Sequence, residues 1–240
     1  MNFPNLSRSV TAKIVFLLDE CLPPFLRDSK WLLWPIYRLA FGKAATHFFT
    51  FKDNGLTLSE TEFQKVYEQT SAVRVQRETD LNDECIREIE SHIAGKTVLE
   101  VGCGRGHLAN VLHQTYEVTA SDIRIMDTLV TKYPDIRFER ANIQALPFAD
   151  GEFDTVVCTH TLEHVQDIVG AIAELRRVTG QRLIVVVPKQ RSYRYTFDLH
   201  LHFFPYEHSL HSLFAPTNTR RQRVCTIAGD LYLQEDKVER

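Results

Sequence analysis

Residues 97–108 constrain this chain more than any other stretch, since they read as a short buried strand, a glycine-rich turn and the first turn of a helix in direct succession. Val98, Leu99 and Val101 form the apolar, partly β-branched run expected of a parallel strand covered on both faces. Gly102, Gly104 and Gly106 let the backbone turn sharply and let a ligand approach with no Cβ in its way. A helix predicted over 106–114 would point its free N–H groups at whatever sits above the turn. The spacing is G-x-G-x-G, whereas a dinucleotide fingerprint is G-x-G-x-x-G, and His107 stands where the third glycine of that fingerprint would pack. Glu100, two residues before the first glycine, would repel a pyrophosphate and attract a cationic amino group.

The flanking sequence alternates between strand and helix patterns. Upstream, Ser59 and Glu62 form a capping box at the head of a helix over 58–69. A second helix over 80–93 carries Leu81, Cys85, Ile86, Ile89 and Ile93 at near-helical spacing and ends at Gly95. Downstream, a strand over 118–122 ends in Asp122, and Pro134 terminates the helix that follows. Further strands are predicted over 136–138, 153–158 and 183–187, the last central in the sheet and stopped by Pro188. The helix between the last two spans 165–178, with Ile168, Ala171, Ile172 and Leu175 on one face. Two final strands over 223–227 and 230–233 are joined through Gly229. Such alternation predicts an α/β chain built on a doubly wound, mostly parallel sheet.

E-V-G-C-G-R-G over 100–106 resembles the first motif of the class I S-adenosylmethionine (SAM) methyltransferases. N-I-Q-A-L-P-F over 142–148, followed by D-G-E-F-D over 150–154, resembles the stretch between the third and fourth strands of small-molecule members of the ubiquinone- and menaquinone-biosynthesis type. L-E-H-V over 162–165 is similar to their signature after the fourth strand. The resemblance covers residues 80–190 or so. It implies a Rossmann-like sheet of seven strands with helices on both faces and a C-terminal antiparallel hairpin, and it implies SAM as cofactor. Carried onto this sequence, it places Glu100, Gly102, Cys103, Gly104, Gly106, His107, Asp122, Ile123, Asn142, Ile143 and Thr159 around that cofactor. Asp122 would accept hydrogen bonds from both ribose hydroxyls, the alternative being a cap on the following helix. Asn142 stands where the family more often has an aspartate facing the adenine amino group, and its amide oxygen can still accept. Ile143 would lie against the adenine face.

For methyl transfer, His160 at the tip of the fourth strand and His164 one turn on are the candidates to take a proton from an acceptor hydroxyl. The displacement is in line, so positioning alone is the alternative. The acceptor is expected to be a small molecule or a saccharide. Nucleic acid is not expected: T-H-T-L follows the fourth strand in place of the D/N/S-P-P-Y/F/W motif, no Pro-Cys pair occurs, and the net charge is −3. A metal is not expected either, since the ten histidines include no H-E-x-x-H. Two other classes stay open: a non-catalytic SAM-binding or partner module, and a nicotinamide-dependent oxidoreductase, which Glu100 and His107 disfavour.

Residues 1–78 read as an N-terminal lid on the substrate side, ahead of a cofactor domain over 79–240 with an acceptor-side insertion over 189–215. In that insertion Tyr193, Tyr195, His200 and His202 wall an acceptor pocket or pack against the N-terminal aromatics. The apolar run over 14–18 reads as a helical turn or a short strand stopped by Pro23 and Pro24. Residues 31–43 are aromatic and apolar with basic punctuation. Docking on the core is expected there rather than contact with a membrane, because Pro35 would break the helical face an interfacial anchor needs. Five scattered cysteines without a C-x-x-C pair suit reduced thiols. With no signal-peptide layout and no apolar run of about 18 residues, the expected location is the cytoplasm. Oligomeric state is left open.

Overall fold

A computed structural model describes residues 13, 16–17, 21–71, 78–192, 194–195 and 198–238. Residues 14, 15 and 18 of the first apolar run, and Tyr193 of the expected acceptor wall, lie outside the described residues. The chain forms two compact units, residues 1–77 with 190–203 and residues 78–189 with 204–240.

The first unit is helical. It contains α1 (Pro24–Arg27), α2 (Lys30–Phe41), a 3-10 turn at Gly42–Ala44, α3 (Ala45–Asn54) and α4 (Glu60–Ser71). The capping box at the head of α4 is present: the Glu62 carboxylate accepts from the Ser59 amide at 2.9 Å and from its hydroxyl at 2.6 Å. Leu33, Tyr37 and Phe41 line the inner face of α2 at helical spacing and meet Phe48, Phe49 and Phe51. The rings pack closely, with Phe41 and Phe48 stacked at 4.4 Å and Tyr37 edge-on to Phe49 at 4.8 Å. Tyr195, 4.3 Å from the Phe49 ring, and Leu199 join the same core from the 190–203 segment.

The expectation that Pro35 breaks this segment is corrected, because α2 runs unbroken through it. The proline points to solvent. It removes the single N–H that would have reached the Trp31 carbonyl. Burial of Leu33, Tyr37 and Phe41 on the opposite side offsets that loss.

The second unit is the predicted α/β sheet. Its elements are α5 (Asp83–Ser91), β1 (Thr97–Val101), α6 (His107–His113), β2 (Glu117–Asp122), α7 (Asp127–Lys132) and β3 (Arg137–Arg140). There follow β4 (Phe153–Thr159), a 3-10 turn at Leu162–His164, α8 (Ile168–Val178), β5 (Thr179–Pro188), α9 (Glu207–Leu213), β6 (Arg220–Ile227) and β7 (Asp230–Lys237). The seven strands run in the order β3-β2-β1-β4-β5-β7-β6, with β7 antiparallel to both of its neighbours. Alternate side chains feed two cores. Leu99, Val101, Val156, Cys158, Leu183 and Val185 pack with Ala171, Ile172 and Leu175 of α8 on one face. Val98, Val157, Ile184 and Val186 pack with Cys85 and Ile89 of α5 and Leu108 and Leu112 of α6 on the other.

Several boundaries differ from the sequence reading, and two of the shifts have a local cause. The helix expected from 165 begins at Ile168, because the Asp167 carboxylate caps it by accepting from the Gly170 amide. The fifth strand starts at Thr179, directly after α8, where glycine at 180 fits close to the Phe153 carbonyl.

Candidate active site

The strand register brings the sequence-predicted residues to one end of the sheet. Val101 pairs with Ser121 on one side and Cys158 on the other, so Gly102, Asp122 and Thr159 leave the sheet at one level. Arg140 pairs with Asp122, and Asn142 follows two residues later. The order of strands reverses between β1 and β4, which is where an open α/β sheet leaves a crevice beyond its carboxyl ends.

The turn after β1 is tied down at its start and open at its crest. The amides of Gly102 and Cys103 both donate to the Ser121 carbonyl, at 2.8 and 3.0 Å. Gly102 has φ of +79° and lies so close to Thr161 that any Cβ would overlap the threonine hydroxyl. Gly104, at φ of +52°, has nothing within 4 Å of where a Cβ would stand. Gly106 ends the turn and His107 opens α6. Glycine at 102 therefore serves the fold, whereas glycine at 104 leaves space that a ligand can use.

Below this turn, Glu100 is buried, and its Oε2 has no hydrogen-bond partner among the described residues. Burial pushes its carboxyl up from the ordinary 4.5 to about 8; the nearby Ala109 amide opposes the shift and the Asp122 charge adds to it. At neutral pH this carboxyl is therefore mostly protonated, and a neighbouring cation would favour its ionised form. Asp122 is also pushed up by burial, and the backbone amides that donate to it hold the shift back. Its Oδ2 accepts from the Gly104 amide and its Oδ1 from the Arg124 amide, both at 3.0 Å. The second bond closes a turn ahead of α7, whose N-cap is Met126, so Asp122 caps no helix. The Ile123 amide also acts on this carboxylate, which with about four acceptor sites keeps room for a further donor. Burial raises the Cys103 thiol as well, with Glu100 and Asp122 adding to it, so this cysteine is no thiolate nucleophile.

The remaining predicted residues divide by exposure. Ile123 is partly exposed beyond β2, and Thr159 is buried at the end of β4. Ile143 is buried in the core with Leu99, Val101 and Leu146. The Asn142 amide oxygen accepts from the Gln144 backbone amide at 3.0 Å and, at a longer 3.5 Å, from the Gln144 side-chain amide. A cavity of about 300 Å³ opens beside the glycine turn, lined by Glu78, Arg105, His107, Met126, Lys132 and Tyr133 among others. Glu78 reaches His107 at 3.9 Å and Lys132 at 3.8 Å across it.

His160 adopts φ of +47° at the tip of β4, a left-handed conformation that a non-glycine residue holds only where its surroundings enforce it. Its amide donates to the Val186 carbonyl at 2.9 Å. Its ring lies between two buried carboxylates, Nδ1 at 3.6 Å from Glu163 and Nε2 at 3.6 Å from Asp230. Burial alone would lower its pKa, but Asp230 and Glu163 outweigh burial and raise it to about 10. The imidazole therefore carries its proton at neutral pH and is poorly set to accept another. His164 lies in the 3-10 turn, its amide donating to the Thr161 carbonyl.

Sequence reasoning passed over three members of this cluster: Glu163, Asp230 and Asn82. Asn82 caps α5 by accepting from the Cys85 amide at 2.7 Å, and it donates from Nδ2 to Asp230 at 3.0 Å. Asn82 carries a local signal as an N-cap, but nothing local points to its tie to Asp230, 148 residues away.

Residues 99–185 match the family model described as a methyltransferase domain. A ubiquinone biosynthesis O-methyltransferase of Paracidovorax citrulli is 34% identical over 100 residues, which are 37% of this chain and 42% of that protein. A demethylmenaquinone methyltransferase of Renibacterium salmoninarum is 36% identical over 98 residues, 39% of this chain and 41% of its own length. The chain thus spans less than half the length of the curated relatives it matches. Among solved structures, the 1,6-didemethyltoxoflavin-N1-methyltransferase of Burkholderia thailandensis, with bound 1,6-didemethyltoxoflavin and S-adenosylhomocysteine, superposes with a TM-score of 0.53. It covers 75% of this chain and 87% of its own at 18% identity, which is a likeness of fold.

Proposed function

We propose that this chain, whose residues 99–185 match the family model described as a methyltransferase domain, is a SAM-dependent methyltransferase acting on a small-molecule or saccharide-type acceptor. The observation that carries the reading is the Glu100 carboxyl, buried below the glycine turn with an unpartnered oxygen and a raised pKa. Such a group suits an ammonium ion, and the amino-acid end of SAM carries one. When bound, SAM supplies an electrophilic methyl group on a sulfonium.

The chain's own residues divide the remaining work. The turn over 102–106 lies against the ligand, with open space at Gly104. Asp122 offers its remaining acceptor capacity to the ribose hydroxyls. The Asn142 amide oxygen would accept from the adenine amino group in place of the long contact from the Gln144 side chain, and Cys103, His107, Ile123, Ile143 and Thr159 lie around the same strand ends. His160 holds its proton between Glu163 and Asp230, so it positions the β4 tip. His164 is then the candidate to take a proton from the acceptor. In-line displacement itself asks mainly for alignment. The O-methyltransferase relative supports a hydroxyl-bearing acceptor.

The test is transfer of labelled methyl from SAM to a panel of phenols, hydroquinones and sugars. Product with at least one acceptor is expected, together with its loss in Gly104→Val, which fills the open space and strains a positive φ. SAM binding without product on any acceptor would leave a cofactor-binding module and overturn the enzymatic reading.

A further inference from the structure

Helix α2 is apolar on both of its faces. Leu33, Tyr37 and Phe41 face the core of their own unit. On the opposite side, Trp31, Leu32, Pro35, Ile36 and Leu39 all reach solvent, with Trp31 93% exposed and Leu39 89% exposed. Exposed Phe25 and Leu26 of α1 extend the patch towards the N-terminus. A helix that is hydrophobic all round belongs in an apolar or interfacial setting, and a contiguous exposed apolar patch marks a surface that binds something.

Charge indicates which surface it binds. Lys30, Arg38 and Lys43 are exposed at the flanks and the end of the helix, and Asp28 is the one anion over 24–44, although the whole chain carries a formal charge of −3. A basic rim around an apolar face, with a tryptophan at one end, suits the headgroup layer of an anionic bilayer. The 12 residues of α2 rise by about 18 Å, well short of the ~30 Å hydrocarbon core, so the helix can lie in that layer and cannot cross it. Among the described residues no helix is long and apolar enough to cross a membrane.

We propose that the outward face of α2 docks on an anionic lipid surface, inserting Trp31, Leu32, Ile36 and Leu39 below the headgroups while Lys30, Arg38 and Lys43 meet lipid phosphates. The preference for core docking over membrane contact rested on a break at Pro35, and α2 has none. The proposal is independent of the methyl-transfer reading, because its readout is binding.

The chain's two tryptophans, Trp31 and Trp34, are both on this helix. Trp34→Phe therefore leaves Trp31 as the sole emitter. The full chain is mixed with phosphatidylcholine vesicles carrying roughly 30 mol% phosphatidylglycerol at about 0.1 M salt. Co-sedimentation and a blue shift of Trp31 emission are expected, with neither on pure phosphatidylcholine. Leu39→Glu should lower vesicle affinity at least tenfold without changing the melting curve, since that side chain makes little contact with the fold. Lys43→Gln should lower it on the order of fivefold. Failure of the parent to sediment with anionic vesicles would overturn the proposal, as would a Leu39→Glu variant that binds equally well. A parent dimer that Leu39→Glu dissociates, with no vesicle binding, would assign the face to a second copy and overturn it too.

Discussion

A carboxyl that is buried at the end of β1 and raised to about 8 is mostly protonated at pH 6.5, so a cationic ligand that pairs with it must displace that proton. The sign for the ligand-free protein follows from the same shift. Because the folded value lies above the ordinary 4.5, the stabilisation from protonated Glu100 is complete below about 4.5 and is lost as pH rises through about 8. Calorimetry with SAM at pH 6.5, in two buffers of different ionisation enthalpy, should show release of close to one proton. Glu100→Gln should abolish that release and weaken binding; release unchanged in the variant would remove Glu100 from the ligand's ammonium. The sequence made Glu100 and Asp122 legible because their positions, two residues before a glycine turn and at a strand end, are local facts. The charge state of Glu100 was not legible, since it depends on how deeply β1 is covered. Nor was that of His160, whose proton is held by Asp230, 70 positions away in sequence and adjacent only after β7 has paired with β5.

Among the elements, α8, β6 and β7 are joined by one buried carboxylate. Glu235 is fully buried in β7 and takes Arg176 of α8 at 2.5 Å, Arg220 of β6 at 3.1 Å and the Gln222 amide group at 2.8 Å. Arg176 also donates to the Phe214 carbonyl just after α9. Glu235→Leu would leave two guanidinium groups without their anion, and about 3–5 kcal/mol of stability should go with it, towards the lower end because both arginines keep some solvent contact. Denaturant unfolding checks this; a loss below about 1 kcal/mol would mean that the network is replaceable. The alternation of strands and helices over 97–188 was readable from periodicity, as was the terminal hairpin from the glycine at 229. The course of α2 through Pro35 was not. There three large inner-face side chains outweigh one missing hydrogen bond, and no local propensity reports that packing.

In the whole molecule, the residues that match the methyltransferase family model lie inside the second compact unit, and the aromatic helices form a unit of their own with the 190–203 segment. That segment reads in sequence as an insertion between β5 and α9. Its place beside Phe49 comes from Tyr195 and Leu199, which a chain-order reading cannot connect to residues some 150 positions earlier. The central claim, that the strand ends of the second unit hold SAM, is open to one direct measurement. The purified chain and its Asp122→Ala variant are titrated calorimetrically with SAM, S-adenosylhomocysteine and NAD. Micromolar binding of the first two and none of NAD is expected, with Asp122→Ala weakened by roughly 1–3 kcal/mol for the ribose hydroxyls left unpaired. Binding of NAD alone, or equally tight SAM binding by the parent and the variant, would contradict it.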